Sequence, residues 1–322
     1  MRSRPSGLDV SLTGGSSPEG RGAAVVVVVG DLLYDMLAHV GNGVSPGVDT
    51  FTRIHASPGG SAANVASRLA RLGVETRFAG RVGDDVFGEF LSERMEEAGV
   101  EAHIARDAKL STGKVFVMVD GEGERTMITD RGASEALGSE DVPESFFYPD
   151  SHLHLTGYMF SEGSRREAAR KALRLARGAG MGVSVDPSSV PLLEGVGPER
   201  FLEWTSGAEL CFPNFEEGAL LSGSEDAEGI VRALLEYYRA VALKLGADGA
   251  MYADRTGRRA RLPAAEGVVV DTTGAGDAFC AGFLSGWVSS EEAGVCLGRG
   301  VALAGDVVGG FGGGGPNDTE SG

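Results

Sequence analysis

Cysteine is scarce: Cys211, Cys280 and Cys296 are the only three in 322 residues. So few, odd in number and scattered, they supply neither a disulfide framework nor a zinc cluster, and the reducing cytoplasm is the simplest home for them. Basic residues are short as well. Lys and Arg number 29 against 46 Asp and Glu, a formal charge of −17, and a surface of that sign repels nucleic-acid phosphates and anionic lipid. Neither nucleic acid nor membrane is therefore expected as a partner. An anionic ligand would need a local device, such as an amide nest, a helix amino terminus or a metal ion. The apolar run at residues 23–29 is too short to cross a bilayer and stops at Gly30 and Asp31. What is present, 42% hydrophobic and 23% charged residues, is the balance of a globular protein with ample material for a core.

Residues 1–22 are rich in Ser, Gly, Pro and Arg without apolar periodicity, and residues 311–322 belong to a glycine-rich end; both read as tails outside a domain of residues 23–310. Five consecutive valines, Val25 to Val29, suit a central parallel strand buried on both faces. Ser61 to Leu72 and Phe87 to Ala98 repeat apolar residues at helical spacing and are closed by Gly73 and Gly99. Val115–Val119 and Arg125–Thr129 flank turn chemistry at Asp120–Gly123, which predicts an antiparallel hairpin. From about residue 152, strand-like and helical segments alternate to Lys244. That rhythm implies right-handed crossovers and an α/β fold with a mostly parallel sheet covered on both faces, whose ligands bind beyond the carboxyl ends of the strands. Asp31, Asp35, Asp186, Asn214 and Gly246 fall at such ends.

Two segments carry chemistry. In VDTTGAGDAF, Val270 to Phe279, the near absence of side chains at Gly274, Ala275 and Gly276 lets a phosphate reach the backbone amides, while the following helix aims its positive end at the same place. Asp277 then lies in the first helical turn. It is either a cap or a carboxylate that orients an alcohol and accepts its proton during phosphoryl transfer, and its position predicts a lowered pKa. In PGGSAAN, Pro58 to Asn64, the paired glycines allow close backbone approach and Asn64 can hydrogen-bond a polyol; the plainer alternative is a loop with Ser61 as helix cap.

PGGSAANVASRLARLG and DTTGAGDAFCAGF resemble the two signature segments of the PfkB, or ribokinase-like, family of carbohydrate kinases. GDLLYD at 30–35, GRVGDDVFG at 80–88, residues 111–133, PNFEE at 213–217 and LKLGADGA at 243–250 follow the same order, so the likeness spans roughly residues 24–310. It implies a three-layer ribokinase-like sandwich with a small β-sheet lid, contributed here by about 42–57 and 100–131, and pairing of two copies through that lid in some members.

The resemblance also implies roles. Asp277 is similar to the family's catalytic base, with the amides of Gly274, Ala275 and Gly276 as its anion hole. Asp35, with Asp31 as a nearby rival, matches the aspartate that binds substrate hydroxyls, and Gly59, Gly60 and Asn64 match the sugar loop. Arg131 follows the lid and is a candidate substrate contact, or else a solvated charge. Asn214 and Glu217 match a motif that supports magnesium, largely through water; a capping box is the competing reading. Lys244, Gly246, Gly249 and Thr272 align with nucleotide-binding positions, Lys244 standing where the family often has Thr. Asp271 and Thr273 resemble positions that hold a monovalent cation, potassium, although residues 305–316 depart from the pattern of its other half. The implied activity is ATP- and magnesium-dependent phosphorylation of a hydroxymethyl group on a sugar or sugar acid. PGGSAAN lacks the lysine of GGKGAN-type ribokinase loops and is closer to fructokinases, 2-keto-3-deoxygluconate kinases and several nucleoside kinases. A nucleoside kinase is the alternative; a sugar-binding regulator without catalysis is a more distant one. His152 and His154 share a strand face without a third ligand nearby and read as satisfied sheet histidines. Cys280 reads as a small buried residue.

Overall fold

The computed structural model describes residues 24–41, 43–122, 125–265 and 274–309. The predicted tails, 1–22 and 311–322, lie outside them. So do Asp271, Thr272 and Thr273.

The valine run forms β1 (Val26–Val29), wholly buried, with Val27 and Val29 packing into one core and Val26 and Val28 into the other. Side chains alternate across a strand, so an unbroken apolar run is what a strand between two helical layers requires. Next come β2 (Leu33–His39), β3 (Ile54–Gly59), α1 (Ser61–Arg71), β4 (Thr76–Gly83), α2 (Val86–Glu97), β5 (Glu101–Asp107), β6 (Thr112–Val119) and β7 (Arg125–Gly132). The second half runs β8 (His152–Thr156), α3 (Ser164–Ala179), β9 (Gly182–Asp186), α4 (Val190–Val196), α5 (Pro198–Thr205), β10 (Leu210–Cys211), α6 (Phe215–Ser222), α7 (Ala227–Leu234), β11 (Ala240–Lys244), β12 (Ala250–Asp254) and β13 (Arg259–Leu262). Helices α8 (Ala275–Trp287) and α9 (Ala293–Val308) close the fold.

Nine strands form one sheet in the order β13-β12-β11-β10-β9-β8-β1-β4-β5, parallel from β11 to β5 and antiparallel at the β12 and β13 edge. One face carries residues of α3 to α7 and the other those of α1, α2, α8 and α9. Burying one valine or leucine in either core contributes on the order of 2 kcal/mol, so the layers rather than helix propensity hold the elements.

A separate four-stranded sheet has the order β3-β2-β6-β7, and β6 and β7 are the antiparallel hairpin anticipated from Asp120–Gly123. Its membership differs from the expected 42–57 and 100–131. β5 belongs to the large sheet, paired in parallel with β4. β2 joins the small sheet, because Leu33 and Leu37 bury against Val115, Val117 and Val119. Asp35 therefore reaches the cleft from the small sheet. α7 ends at Leu234, and a turn carries Tyr238 into the core, where its hydroxyl meets that of Thr205 at 2.7 Å.

Candidate active site

A cleft of about 1090 Å³ opens at the carboxyl ends of the large sheet's strands, under the small sheet. Asp31, Asp35, Asp186, Asn214 and Gly246, the polar and glycine residues at strand ends in the sequence, all line it. A parallel sheet gathers distant chain segments there because every crossover returns the chain to the same edge.

Gly274, at φ +71°, is the residue before α8, with Ala275, Gly276 and Asp277 in its first turn. A left-handed φ would cost a side-chain-bearing residue about 1–2 kcal/mol, and here it turns the chain so that the helix's free amides face the cleft. The half-buried Asp277 carboxylate accepts from Ser61 Oγ at 2.6 Å and from Asn64 Nδ2 at 2.9 Å. Ser61 is thus not the cap of α1. Gly60, at φ +94°, holds that place and frees the serine hydroxyl for Asp277. Burial pushes the Asp277 carboxyl above its ordinary value, although Arg68 and the two hydrogen bonds pull the other way. The lowered pKa expected from the helix end is overturned, because the carboxyl loses more hydration than the dipole and its donors return.

Asp35 faces the same space. Its buried Oδ1 has no hydrogen-bond partner among the described residues, and burial followed by the Asp277 charge raises its pKa to about 7. Gly59 makes room for it, since a Cβ there would stand 2.1 Å from the carboxyl carbon. The rival Asp31 is committed elsewhere: it accepts from Arg131 Nη1 and, at 3.0 Å, from Ser134 Oγ, with Arg165 Nη1 3.6 Å away. Arg131 is accordingly no solvated charge; it lies over the Tyr158 ring, 4.6 Å from its centroid, at the cleft wall.

At the other end Lys244 donates to Asp186 Oδ2 at 2.9 Å. Burial acts to lower the lysine's pKa, but Asp186, Cys280 and Glu217 more than offset it, so the ammonium lies above its usual range. Asn214 and Glu217 form the capping box of α6: Asn214 Oδ1 accepts from the Glu217 amide at 2.8 Å, and Glu217 Oε2 from the Asn214 amide at 2.9 Å. Burial raises the Glu217 carboxyl to about 7 despite Lys244. Gly246 and Gly249 shape the turn between β11 and β12, both at positive φ.

Of the residues singled out in the sequence, the structure gathers Asp35, Gly60, Asn64, Arg131, Asn214, Glu217, Lys244, Gly246, Gly249 and Gly274 to Asp277 around one cleft, with Gly59 backing Asp35. Asp186 received no role from the sequence and Ser61 only that of a helix cap; the place of Asp186 at a strand's carboxyl end was the available signal. His152 and His154 lie in the sheet and share Ser184 Oγ at 2.9 Å each, but His154 Nε2 is buried without a hydrogen-bond partner among the described residues, so the pair is not fully satisfied. Cys280 is buried and points its thiol at Asp186 Oδ2, 3.2 Å away.

Residues 23–320 match the family described as "pfkB family carbohydrate kinase". An ATP-dependent ribose-1-phosphate kinase of Halopiger xanaduensis is 36% identical over 73% of this chain and 75% of its own. A fructokinase of Klebsiella pneumoniae is 35% identical over 80% and 83%. The crystal structure of adenosine kinase from Sinorhizobium meliloti superposes with a TM-score of 0.81 at 26% identity, covering 90% of this chain and 95% of that one. The layered sheet with its small companion is the ribokinase-like fold, and the chain belongs to the pfkB family of carbohydrate kinases.

Proposed function

We propose that this protein transfers the γ-phosphoryl group of ATP, as its magnesium complex, to a hydroxymethyl oxygen of a sugar or sugar acid, in the manner of a fructokinase or a 2-keto-3-deoxygluconate kinase. The observation that carries this reading is the pairing of Asp277 with a side-chain-poor helix start: one acidic oxygen pair and one anion cradle at adjacent residues. The acceptor hydroxyl lies against Asp277, which orients it and takes its proton as the bond to phosphorus forms. A raised pKa suits that task better than the low value anticipated, because it brings the base nearer to neutral pH. The Gly274 to Gly276 amides receive the transferring phosphoryl oxygens. Asp35, with Gly59, Gly60 and Asn64, holds the remaining hydroxyls; its buried Oδ1, without a hydrogen-bond partner among the described residues, accepts from a polyol hydroxyl. Arg131 lines the same half of the cleft, and Lys244, Gly246 and Gly249 line the nucleotide half.

The residues present fit a magnesium carried in by the nucleotide. Among the described residues no cluster of three acidic, histidine or cysteine side chains could hold a metal by itself, whereas the buried Glu217 carboxylate and Asn214 could order its water ligands. The metal would neutralise the triphosphate charge. The small sheet acts as a lid that excludes water as a competing acceptor. Its exposed Ile54 and Ile128 suit pairing of two copies, which light scattering of the purified protein would detect.

A nucleoside is the second reading. Leu33, Val115, Val117 and Met127 line the cleft from the small sheet, an apolar wall suited to a planar base. ADP release measured with fructose, 2-keto-3-deoxygluconate, ribose, adenosine and other nucleosides separates the two. In the same assay Asp277→Asn should bind both ligands and lose about 10³-fold or more in turnover, as expected where one group both orients the nucleophile and takes its proton. Near-normal turnover in that variant would defeat the assignment.

A further inference from the structure

Lys244 stands on the wrong side of a helix dipole. Its Nζ lies over the first turn of α8, 3.5 Å from where a Cβ on Gly276 would be, and lines the cleft. Helix amino termini favour anions, and a cation there opposes the partial positive charge of the free amides. The ammonium is held in place by the carboxylate of Asp186, itself 4% exposed, at the carboxyl end of β9. Asp186 is fixed in turn by the Cys280 thiol at 3.2 Å. A buried ion pair of this kind repays its desolvation poorly as a stabilising device. An anion placed between the ammonium and the α8 amides would satisfy both at once. Glycine at 276 keeps that approach open, since among the described residues outside its own helix only the lysine's nitrogen comes within 4 Å of the missing Cβ.

We propose that Lys244 is a catalytic residue whose ammonium contacts the phosphoryl group in flight, with Asp186 as its positioning residue. This rests on the kinase reading above and deepens it: Lys244 serves the transferred phosphoryl rather than the nucleotide as a whole. In the step, the acceptor oxygen bonds to the γ-phosphorus, the bond from that phosphorus to the β,γ-bridging oxygen breaks, and ADP leaves with the electron pair. The acceptor proton goes to Asp277. The ammonium keeps its own protons and donates hydrogen bonds to equatorial oxygens throughout, as a flexible point charge can.

The test compares nucleotide affinities by calorimetry, which needs no acceptor, with steady-state turnover on whichever acceptor the panel identifies. In Lys244→Met, and in Lys244→Met/Asp186→Asn, which leaves no unpaired carboxylate at position 186, affinity for a magnesium complex of a non-hydrolysable ATP analogue should fall at least tenfold. Affinity for magnesium ADP should stay within twofold. Turnover should drop about 10²–10³-fold, as when one preorganised donor to a developing charge is removed, with the acceptor KM little changed. Lys244→Arg should recover part of the turnover, and Asp186→Asn should lower turnover while sparing ADP affinity. Equal loss of ATP-analogue and ADP affinity, or turnover within threefold of the parent in the double variant, overturns the role of Lys244. No nucleotide binding by the unsubstituted protein overturns the kinase reading and this proposal together.

Discussion

Replacing Asp35 with asparagine sets the needs of the fold against those of the reaction. The Asp35 carboxyl moves from 3.8 to about 7, chiefly by burial and secondarily by the charge of Asp277. A carboxyl whose pKa is higher in the folded chain than in the unfolded one keeps its proton after folding between those two values. The folded state then binds the extra proton, and stability falls as pH rises through the window, from about 4 to about 7. Each pH unit inside it corresponds to about 1.4 kcal/mol, so the two units between pH 5 and pH 7 amount to about 3 kcal/mol as an upper bound. Asparagine has nearly the same shape and no charge to bury. The assay is urea unfolding of the parent and Asp35→Asn at pH 5 and pH 8. Titrations that do not interact with Asp35, that of Glu217 included, cancel in the difference. The variant should gain about 2–3 kcal/mol on the parent between the two pH values, while its acceptor KM rises at least tenfold because a hydroxyl acceptor has been lost. Parallel stability profiles would refute the reasoning, since they would mean that Asp35 is solvated or neutralised in the folded chain.

Gly59→Ala should raise the acceptor KM at least tenfold without changing nucleotide affinity, since its Cβ would meet the Asp35 carboxyl; equal effects on both ligands would count against an acceptor role for this corner. Glu217→Gln keeps a residue type that also closes a capping box and no longer buries a charge, so stability at pH 8 should hold or rise, while the magnesium concentration for half-maximal activity should rise severalfold if Glu217 supports the metal. An unchanged magnesium dependence would reduce Glu217 to a cap. His152 and His154 are held at about 3 and about 4 mainly by burial, below their ordinary 6.5, so the unfolded chain gains protons first as pH falls. Between pH 6.5 and pH 4 the parent should lose about 3 kcal/mol more than His154→Phe in denaturant unfolding, and equal slopes would show that His154 is not buried neutral.

Some of this protein is written locally in the chain. The valine run at 25–29 dictates a strand covered on both faces because nothing polar alternates within it. The glycines at 59 and 60 mark places where a Cβ would clash, Gly274 one where the backbone is left-handed, and GAGD puts side-chain-poor backbone and a carboxylate within one helical turn. Other features are long-range, and only tertiary structure decided them. Residues 101–107 could pair with either sheet, and their contact with β4 chose the larger one. Ser61 looked like a cap until α8 brought Asp277, 216 positions away, to its hydroxyl. Asp31 and Asp35 are equivalent candidates four residues apart in the sequence; Arg131, a hundred residues on, occupies the first, and the second is left facing the cleft. The sign of the Asp277 shift has the same origin. A helix terminus can be read from spacing, but the water that folding removes from a carboxyl depends on every segment packed around it, and those meet only in three dimensions.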